Sequence, residues 1–415
     1  MVRIRTAVAG IDQEPLTDWL WLFSFLVLPF ASYLSLGVLS LLLLVALYQR
    51  SDEIFTVLWQ RGFVLLTGGL MLSAAFALEP SNAFLQIANF VPYFLLFAVL
   101  VTNNGLRYRA VVKLDGLAKA LLLASIPISL IALFEYVIQF EAIAVHLRPL
   151  DGFAWVFDNP FGHRAHAILS HPNILSAYLV MMLGLGLGLT LQQLARVRTA
   201  PLRLPSAWIY TATVLSLVGI FCTGSRNGLM VAIAQLLVAG CFLRRSRWVG
   251  LIGLGFAIAL ITGTVLLGAG GRELSLSAFT QDPRVSVWQI AGSLIWQRPW
   301  LGWGLGSFGM LYVPFSAPGY EQIHHAHNLW LYLASEVGLP LMVAFSWVIG
   351  RLYGSGVRTL ITKKLSQWHR SLLLSYLFAF GGCVGFGLFD VTLFDARLNV
   401  LGWLMLAAIG LLSRR

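Results

Sequence analysis

The side chains best suited to chemistry lie in four short polar patches that separate long apolar segments. The patches cover residues 158–173, 223–228, 282–288 and 324–328. Each contains an arginine or a histidine, the side chains that grip anions and move protons in enzymes. We therefore expect the four patches to act together on an anionic substrate.

Two arginines stand where the start of a helix is predicted. Arg226 falls in the first turn of a predicted span, and Asp282-Pro283 predicts a helix of about 284–297 that begins at Arg284. A helix N-terminus already carries about half a positive charge, so a cation there is unfavourable unless an anion binds above it. The arrangement predicts a phosphate site. For Arg226 the alternative is contact with lipid head groups.

The patch at 324–328 places three histidines within four residues, His324, His325 and His327. Their spacing does not suit one helical face and acidic neighbours are few, so we predict no zinc site. An imidazole near a helix N-terminus and arginines is kept neutral, and the neutral form accepts a proton. His327 is therefore the candidate general base.

The first patch contains Arg164 and leads into a predicted span. Ser170 is expected to cap that helix and Pro172 to open it, as Ser225 is expected to cap the helix of Arg226. The alternative for Arg164 and the neighbouring histidines is a solvated loop without chemistry.

The loop between 269 and 327 carries two further signals. The helix at 284–297 is expected to lie along the bilayer on an apolar face made of Val285, Trp288, Ala291, Gly292 and Ile295. The glycine-rich stretch 302–306 follows no predicted strand, so it does not qualify as a dinucleotide fingerprint. A turn or close helix packing explains these glycines.

The composition requires a membrane. Of 415 residues, 58% are hydrophobic and 11% are charged, with a mean hydropathy of +0.81, whereas soluble domains carry about 25% charged residues. The apolar runs are continuous rather than alternating, which favours an all-α bundle over a barrel. The net charge of +11 is spread over short connections, which argues against nucleic acid as a partner.

The apolar runs predict a polytopic bundle of about 12 transmembrane helices. One membrane domain covers 1–415, and a large loop with short helices, 269–327, is inserted between the ninth and tenth spans. The predicted spans are 19–34, 35–48, 62–78, 84–102, 117–140, 172–191, 207–222, 228–243, 248–268, 328–350, 371–389 and 396–412. The first two are short, with Pro29 between them, and one of them could be re-entrant.

The distribution of positive charge orients the bundle. With both termini in the cytoplasm, 21 of the 28 Lys and Arg residues fall on the inner side. The outer side keeps seven arginines, among them Arg164, Arg226 and Arg284, which topology does not explain. Helices that start on the outer face also direct their positive dipole ends toward these arginines and His327. The active face is therefore expected on the outer side of the membrane.

These residues resemble the O-antigen ligase and O-antigen polymerase superfamily of multispanning membrane proteins. The resemblance covers most of the chain, and its motifs lie at the predicted span boundaries. The ligase pattern at the histidine asks for Asn, Ser or Gln next, Gly eleven residues after the histidine, and Gly, Thr or Tyr three residues later. His327-Asn328 and Gly338 fit that pattern, whereas Leu341 departs from it. The motifs that carry the resemblance are Arg164 with Pro172-Asn173, 223–226, Arg284 with Trp288, 299–308, and His327-Asn328 with Glu336 and Gly338.

The resemblance implies a metal-independent, inverting glycosyl transfer without a cofactor on the periplasmic face of the bacterial inner membrane. The donor would be a glycan on undecaprenyl diphosphate, and the acceptor a sugar of a lipid core or of another glycan. His327 would deprotonate the acceptor, and Arg226 and Arg284 would hold the diphosphate with help from Arg164. Asn328, Glu336 and Asn173 would support them.

Two other functions stay open at this point. A transporter of a small anion such as bicarbonate would need ionisable residues in the middle of its spans, and few are present. A scaffold without chemistry would leave the outer arginines unexplained.

Overall fold

The computed structural model describes residues 16–103, 106, 109–149, 152, 154–195, 205–242, 255, 258, 262, 284–315 and 323–414. Over these residues the chain is helical and contains no strand, which confirms the all-α class. Asp282, Pro283 and most of the predicted ninth span lie outside the described residues.

The first half of the described chain contains eleven helices. They are α1 (Leu16–Val27), α2 (Ser32–Arg61), α3 (Phe63–Ala75), α4 (Pro80–Gln86), α5 (Val91–Thr102), α6 (Ala110–Ile138), α7 (Glu141–Leu147), α8 (Ala154–Phe157), α9 (Pro172–Leu194), α10 (Ser206–Cys222) and α11 (Arg226–Phe242).

Six helices follow in the described part of the second half. They are α12 (Arg284–Gln297), α13 (Phe308–Tyr312), α14 (Leu329–Val337), α15 (Leu339–Thr362), α16 (Gln367–Gly387) and α17 (Ala396–Leu412).

Five described segments are long and apolar enough to cross a membrane, and they establish a multi-pass membrane protein. Shorter apolar helices of 10–17 residues accompany them: α1, α3, α10, α11 and α17. The total of about 12 spans and the periplasmic position of 269–327 stay predictions. The five long segments are Ser32–Arg61, Pro80–Thr102, Ala110–Ile138, Pro172–Leu194 and Gln367–Gly387.

Several predicted boundaries are wrong. Pro29 lies in the turn after α1, and the next helix is α2, 30 residues long with a kink at Arg50 rather than a short span. The predicted span 328–350 is divided at Gly338, where α14 ends and α15 begins. The nine residues of α14 extend only about 14 Å, too short to cross a bilayer.

Helix α9 forms the centre of the bundle and packs against α16, α10, α11 and α6. Gly184 and Gly188 allow the backbones of α9 and α16 to approach closely, because a Cβ at either glycine would meet α16 backbone at 2.4 or 2.3 Å. Small residues permit such approach between helices in a bilayer, where packing rather than the hydrophobic effect drives association.

A buried ion pair ties three helices together away from the polar patches. Lys119 Nζ donates to Asp115 Oδ2 at 2.6 Å within α6, and Asp115 Oδ1 accepts from Gln192 of α9 at 2.7 Å and from Trp368 of α16 at 3.1 Å. Lys119 is one of the 21 positive charges that the sequence analysis counted on the inner side, but its side chain is buried inside the bundle.

The predicted loop helix is present as α12, with bounds that match the predicted 284–297. Within the protein α12 buries Val287, Ala291, Leu294 and Ile295, whereas Val285 of the predicted bilayer face is exposed. The helix packs against α14, which accounts for the buried residues. That the predicted face lies along the bilayer stays a prediction.

Candidate functional site

The polar site is assembled around the segment Leu388–Asp390, which directly follows the end of α16. The Asn328 side chain donates to the carbonyl of Leu388 at 2.9 Å, and the Asn227 side chain donates to the carbonyl of Phe389 at 3.4 Å. These two bonds bring the start of α14 and the start of α11 to one place. The patches at 223–228 and 324–328 therefore meet although about 100 residues separate them in the sequence.

Arg284 reaches the same place from the loop helix. Its Nη1 donates to Asn227 Oδ1 at 3.1 Å, so the first residue of α12 contacts the first turn of α11. Arg226 precedes Asn227 and begins α11, as predicted, with Ser225 Oγ accepting from the Gly228 N–H at 3.4 Å. Two helix N-termini and two arginines are thus adjacent, which concentrates positive potential.

Arg164 is buried and connects the first patch to the site. Its Nε donates to the carbonyl of Thr223 at 2.9 Å, and its Nη2 donates to Asn173 Oδ1 at 2.8 Å. Asn173 in turn donates to Asp390 Oδ2 at 2.9 Å. This chain of charge-assisted hydrogen bonds orients the carboxylate of Asp390.

The other oxygen of Asp390 faces the candidate base. Asp390 Oδ1 lies 3.5 Å from Nδ1 of His327 and 4.0 Å from Nε2 of His325. Burial by itself raises the pKa of Asp390. The hydrogen bond from His327 and the two histidines, which are protonated at the low pH where a carboxyl group titrates, outweigh burial and lower that pKa below its usual value. Asp390 is therefore a carboxylate that can hold a proton on Nδ1 of His327 and leave Nε2 to accept one.

His327 adopts a left-handed backbone conformation, with a φ of +47°. Such a conformation is uncommon for a residue with a Cβ, and backbone strain of this kind is concentrated at functional sites. The neighbours on either side hold it: the His327 N–H donates to His325 Nδ1 at 3.3 Å, and Asn328 caps α14 by accepting from Trp330 and Leu331. Burial, with His327 next in importance, lowers the pKa of His325 to about 4, so His325 is neutral near pH 7.

Glu135, near the end of α6, organises the loop that carries Arg164. Its carboxylate accepts from the backbone N–H groups of His166 and Ala167 at 3.0 and 2.8 Å and from the Asn159 side chain at 3.2 Å. Asn159 also donates to the carbonyl of Arg164 at 2.9 Å. The loop is thereby fixed against α6, which positions Arg164.

Glu336 supports a different part of the site. It is fully buried in α14, and Oε1 accepts from the Phe308 N–H at 3.1 Å. Burial raises the pKa of Glu336 to about 8 although backbone N–H groups of the glycine-rich stretch oppose the shift. The carboxyl group therefore joins α14 to residues 302–308 and keeps its proton near pH 7.

The glycine-rich stretch forms the predicted turn. Gly302, Gly304 and Gly306 have φ values of +67°, +98° and +81°. The N–H groups of Trp303 and Gly304 donate to the carbonyls of Ser335 and Glu336 at 3.0 and 2.7 Å, so the turn runs along the end of α14.

Within the described residues one group of side chains could hold a metal ion. Ligand atoms of His325, His327 and Asp390 lie within 4.8 Å of one another, although the sequence predicted no metal site. However, His325 Nδ1 accepts a hydrogen bond from the His327 N–H, so its neutral ring carries the proton on Nε2, the atom that faces Asp390. A metal would need that nitrogen deprotonated, which makes the arrangement a poor zinc site.

The structure brings together most of the residues that the sequence singled out, and it adds two. Arg164, Asn173, His327 and Asn328 join through the Leu388–Asp390 segment, Arg284 joins through Asn227, and Arg226 is adjacent. Glu336 lies apart from this network and joins α14 to the glycine-rich stretch. The sequence analysis missed Asp390 and Asn227; an acidic residue in the short outer connection between the last two spans was the available signal. Ser170 is not the cap of α9, because His171 Nδ1 accepts from the Asn173 N–H at 3.0 Å instead.

The fold and the site define a helical multi-pass membrane protein with arginines and a His–Asp pair at the ends of its helices. Residues 211–346 match the family model described as O-antigen ligase. A search of curated proteins finds no match. The match covers about a third of the chain and supports its similarity to O-antigen ligase and polymerase proteins. The matched segment contains Arg226, Arg284 and His327, whereas Arg164, Asn173 and Asp390 lie outside it.

Proposed function

We propose that this protein is a membrane glycosyltransferase that moves a glycan from undecaprenyl diphosphate to an acceptor sugar on the periplasmic face of the inner membrane. The observation that carries the proposal is the hydrogen-bonded path Arg164–Asn173–Asp390, which ends 3.5 Å from the imidazole of His327. A path of this kind orients an imidazole as a base, and the arginines beside it suit an anionic leaving group.

In the proposed reaction His327 is the general base. Asp390 holds the proton on Nδ1 of His327, so Nε2 of His327 accepts the proton of the acceptor hydroxyl. At the same time the oxygen of that hydroxyl attacks the anomeric carbon of the donor. The bond between that carbon and the diphosphate oxygen breaks. The 3.5 Å separation between Asp390 Oδ1 and His327 Nδ1 is longer than an ideal hydrogen bond. We expect it to shorten as the imidazole takes up the proton and becomes positively charged.

Arg226 and Arg284 stabilise the charge that develops on the departing diphosphate. Both stand at the first position of a helix, where free N–H groups add to the positive potential. Nε and Nη2 of Arg164 donate hydrogen bonds to Thr223 and Asn173, so we assign Arg164 to positioning Asp390. Direct contact between Arg164 and the diphosphate stays a prediction. The transfer is a single displacement and inverts the anomeric centre.

We propose that the reaction is metal-independent. His325 offers its protonated nitrogen to Asp390, and arginines take the role that a metal plays at other phosphate leaving groups. Full activity after thorough chelation is the expected result. Loss of activity that zinc restores would instead assign His325, His327 and Asp390 to a metal.

Ligase and polymerase activities remain as two versions of this function. The matched family is described as O-antigen ligase, whereas Leu341 departs from the ligase pattern. Surface polysaccharide from a deletion strain distinguishes the two. If the deleted protein is a ligase, the strain has uncapped lipid core and accumulates lipid-linked polymer. If it is a polymerase, the strain carries only single repeats. The family match gives no support to the transporter alternative.

The base is tested with purified protein, a lipid-linked donor and an acceptor. His327→Gln removes the base, and we expect transfer to fall by about 10²–10⁴-fold. Asp390→Asn keeps the shape but loses the carboxylate that selects the tautomer, so we expect a fall in kcat within the same range. His146→Gln is the control, because His146 lies in α7 outside the network, and its activity should be unchanged. Full activity of His327→Gln in a folded protein would refute the base assignment.

A further inference from the structure

A cavity of about 460 Å³ lies between α1 and α6, and no residue of the polar site lines it. Gly116 and Ala120 of α6 leave the space open because their side chains are small, and Leu22 and Phe25 of α1 line the opposite side. A Cβ placed on Gly116 would meet no atom within 4 Å. Small-molecule sites in proteins have volumes of about 300–1,000 Å³, so the cavity is large enough for a ligand.

One end of this cavity is charged. Its lining includes Asp18, Asn103 and Lys113, which lie near the start of α1, just after α5 and near the start of α6. Lys113 Nζ donates to Asp18 Oδ2, so an ion pair joins the two helices at the mouth of the cavity. The distribution of positive charge predicts that these helix ends face the cytoplasm.

The rest of the cavity is apolar and extends to the middle of the bundle. From Lys113 to Ala120 the helix α6 rises about 10 Å, and the lining also includes Leu404, the middle residue of α17. One leaflet contributes about 15 Å to the hydrocarbon core of a bilayer. Trp19 and Val112 line the cavity and are 59% and 39% exposed, so the cavity opens sideways on the surface of the bundle.

We propose that this cavity binds a phosphatidylethanolamine molecule of the cytoplasmic leaflet, with one acyl chain inside and the head group at the ion pair. The phosphate lies beside Lys113, three residues after the start of α6, where the helix N-terminus adds positive potential. The ammonium group donates to Asp18, because a carboxylate has about four acceptor positions and bonds a head group as well as Lys113. A pair of opposite charges thus matches a zwitterionic head group.

The same chemistry disfavours the other common phospholipids. Phosphatidylglycerol has no cation for Asp18 and brings a second negative charge close to it, and the quaternary ammonium of phosphatidylcholine has no N–H to donate. Pockets between helices on the cytoplasmic side of membrane proteins recognise lipid head groups through such charges. The site does not depend on the proposed glycan transfer, because none of its residues belongs to the polar site.

Native mass spectrometry tests the head-group preference. The full-length protein in detergent is incubated with equimolar dioleoyl phosphatidylethanolamine, phosphatidylglycerol and phosphatidylcholine, and the lipid that stays bound is counted. We expect phosphatidylethanolamine to be retained about tenfold more than either of the others, because only it bonds both charges. Equal retention of all three means ordinary bulk lipid, and a preference for phosphatidylglycerol means that positive charge alone recruits lipid. Either result overturns the proposal.

Two matched variants locate the bound lipid. Gly116→Leu fills the cavity from a position with open space and should lower the retained phosphatidylethanolamine by about tenfold. Gly354→Leu is the control, because Gly354 lies in α15, also has open space and does not line the cavity. Equal loss in both variants, or no loss in Gly116→Leu, refutes the assignment of the lipid to this cavity.

A charge variant tests the orientation of the head group. Asp18→Asn keeps the shape of the side chain and removes its charge, so retention of phosphatidylethanolamine and phosphatidylglycerol should become nearly equal. Asp52→Asn is the control, because Asp52 is an exposed acidic residue of α2 that does not line the cavity. Its lipid preference should match that of the wild type. An unchanged preference in Asp18→Asn would show that Asp18 does not bind the ammonium group and would overturn the proposal.

Discussion

Arg284 illustrates what a single residue contributes to the site. Its guanidinium donates to Asn227 at 3.1 Å through Nη1, and the planar fork of an arginine matches the geometry of a diphosphate. A lysine supplies the charge without the fork. We therefore predict that Arg284→Lys lowers transfer by about 10²-fold, nearly as much as Arg284→Ala.

The matched control is Arg148→Lys. Arg148 is exposed and lies over the ring of Phe157 at 5.7 Å, a contact that a lysine also makes. Its rate of glycan transfer should equal that of the wild type. A wild-type rate in Arg284→Lys would mean that a positive charge at this position is sufficient and that the bidentate geometry of the guanidinium is not needed.

Glu336 gives a prediction about pH. Burial raises its pKa from 4.5 to about 8, so the folded protein keeps this proton while the unfolded chain releases it. The stabilisation is complete below pH 4.5 and is lost as the pH rises toward about 8. Melting temperatures of the purified protein should decline across this window, and those of Glu336→Gln should decline less. Parallel pH profiles for the two proteins would contradict the prediction.

At the scale of helices, the division between α14 and α15 decides where the base can be. Gly338 has a φ of +82° and a ψ of 160°, a conformation that is essentially restricted to glycine. A Cβ there would lie 2.2 Å from the carbonyl oxygen of Trp300. The glycine thus allows the 299–306 stretch to bond along the end of α14, the helix that Asn328 caps beside His327.

We predict that Gly338→Ala destabilises the protein by about 1–3 kcal/mol or more, because the substitution adds both strain and a clash. Gly292→Ala is the control. Gly292 lies within α12, where an added Cβ meets no atom within 4 Å, so alanine should be neutral or stabilise by about 0.5–1 kcal/mol. Thermal unfolding in detergent measures both. A Gly338→Ala protein as stable as the wild type would mean that the turn can move away from α14.

For the whole molecule, the positive charges predict which ends of the helices face the cytoplasm. Trp296 of α12 is 85% exposed and is expected on the periplasmic side, whereas Lys364, just after α15, is exposed and is expected in the cytoplasm.

In a cysteine-free background, Trp296→Cys should react with a membrane-impermeant maleimide in cells whose outer membrane is permeable to the reagent. Lys364→Cys should react only after the inner membrane is also opened. The background requires replacing Cys222, Cys241 and Cys383, the only cysteines of the chain. The opposite labelling pattern would reverse the orientation and place the site in the cytoplasm.

Local signals in the sequence carried much of this description. Continuous apolar runs and scarce charge predicted a helical membrane protein, and the Asp-Pro pair before Arg284 predicted a helix with the bounds of α12. Arginines without a topological reason led to candidate residues that the structure brings near one another. These features depend on neighbours within one or two helical turns or on the bilayer itself. They can therefore be predicted from the sequence without knowledge of the tertiary structure.

The remaining features depend on pairs of residues that are distant in the chain. Asp390 lies 63 positions from His327, and only the packing of α16 and α17 against the other helices brings the two side chains to 3.5 Å. The division of the predicted tenth span, the capping of α9 by His171 and the buried face of α12 were likewise decided by contacts between elements. The sequence determined which residues could do chemistry, and the tertiary structure determined their partners, because hydrogen bonds and packing act at distances of a few ångströms that spacing along the chain does not specify.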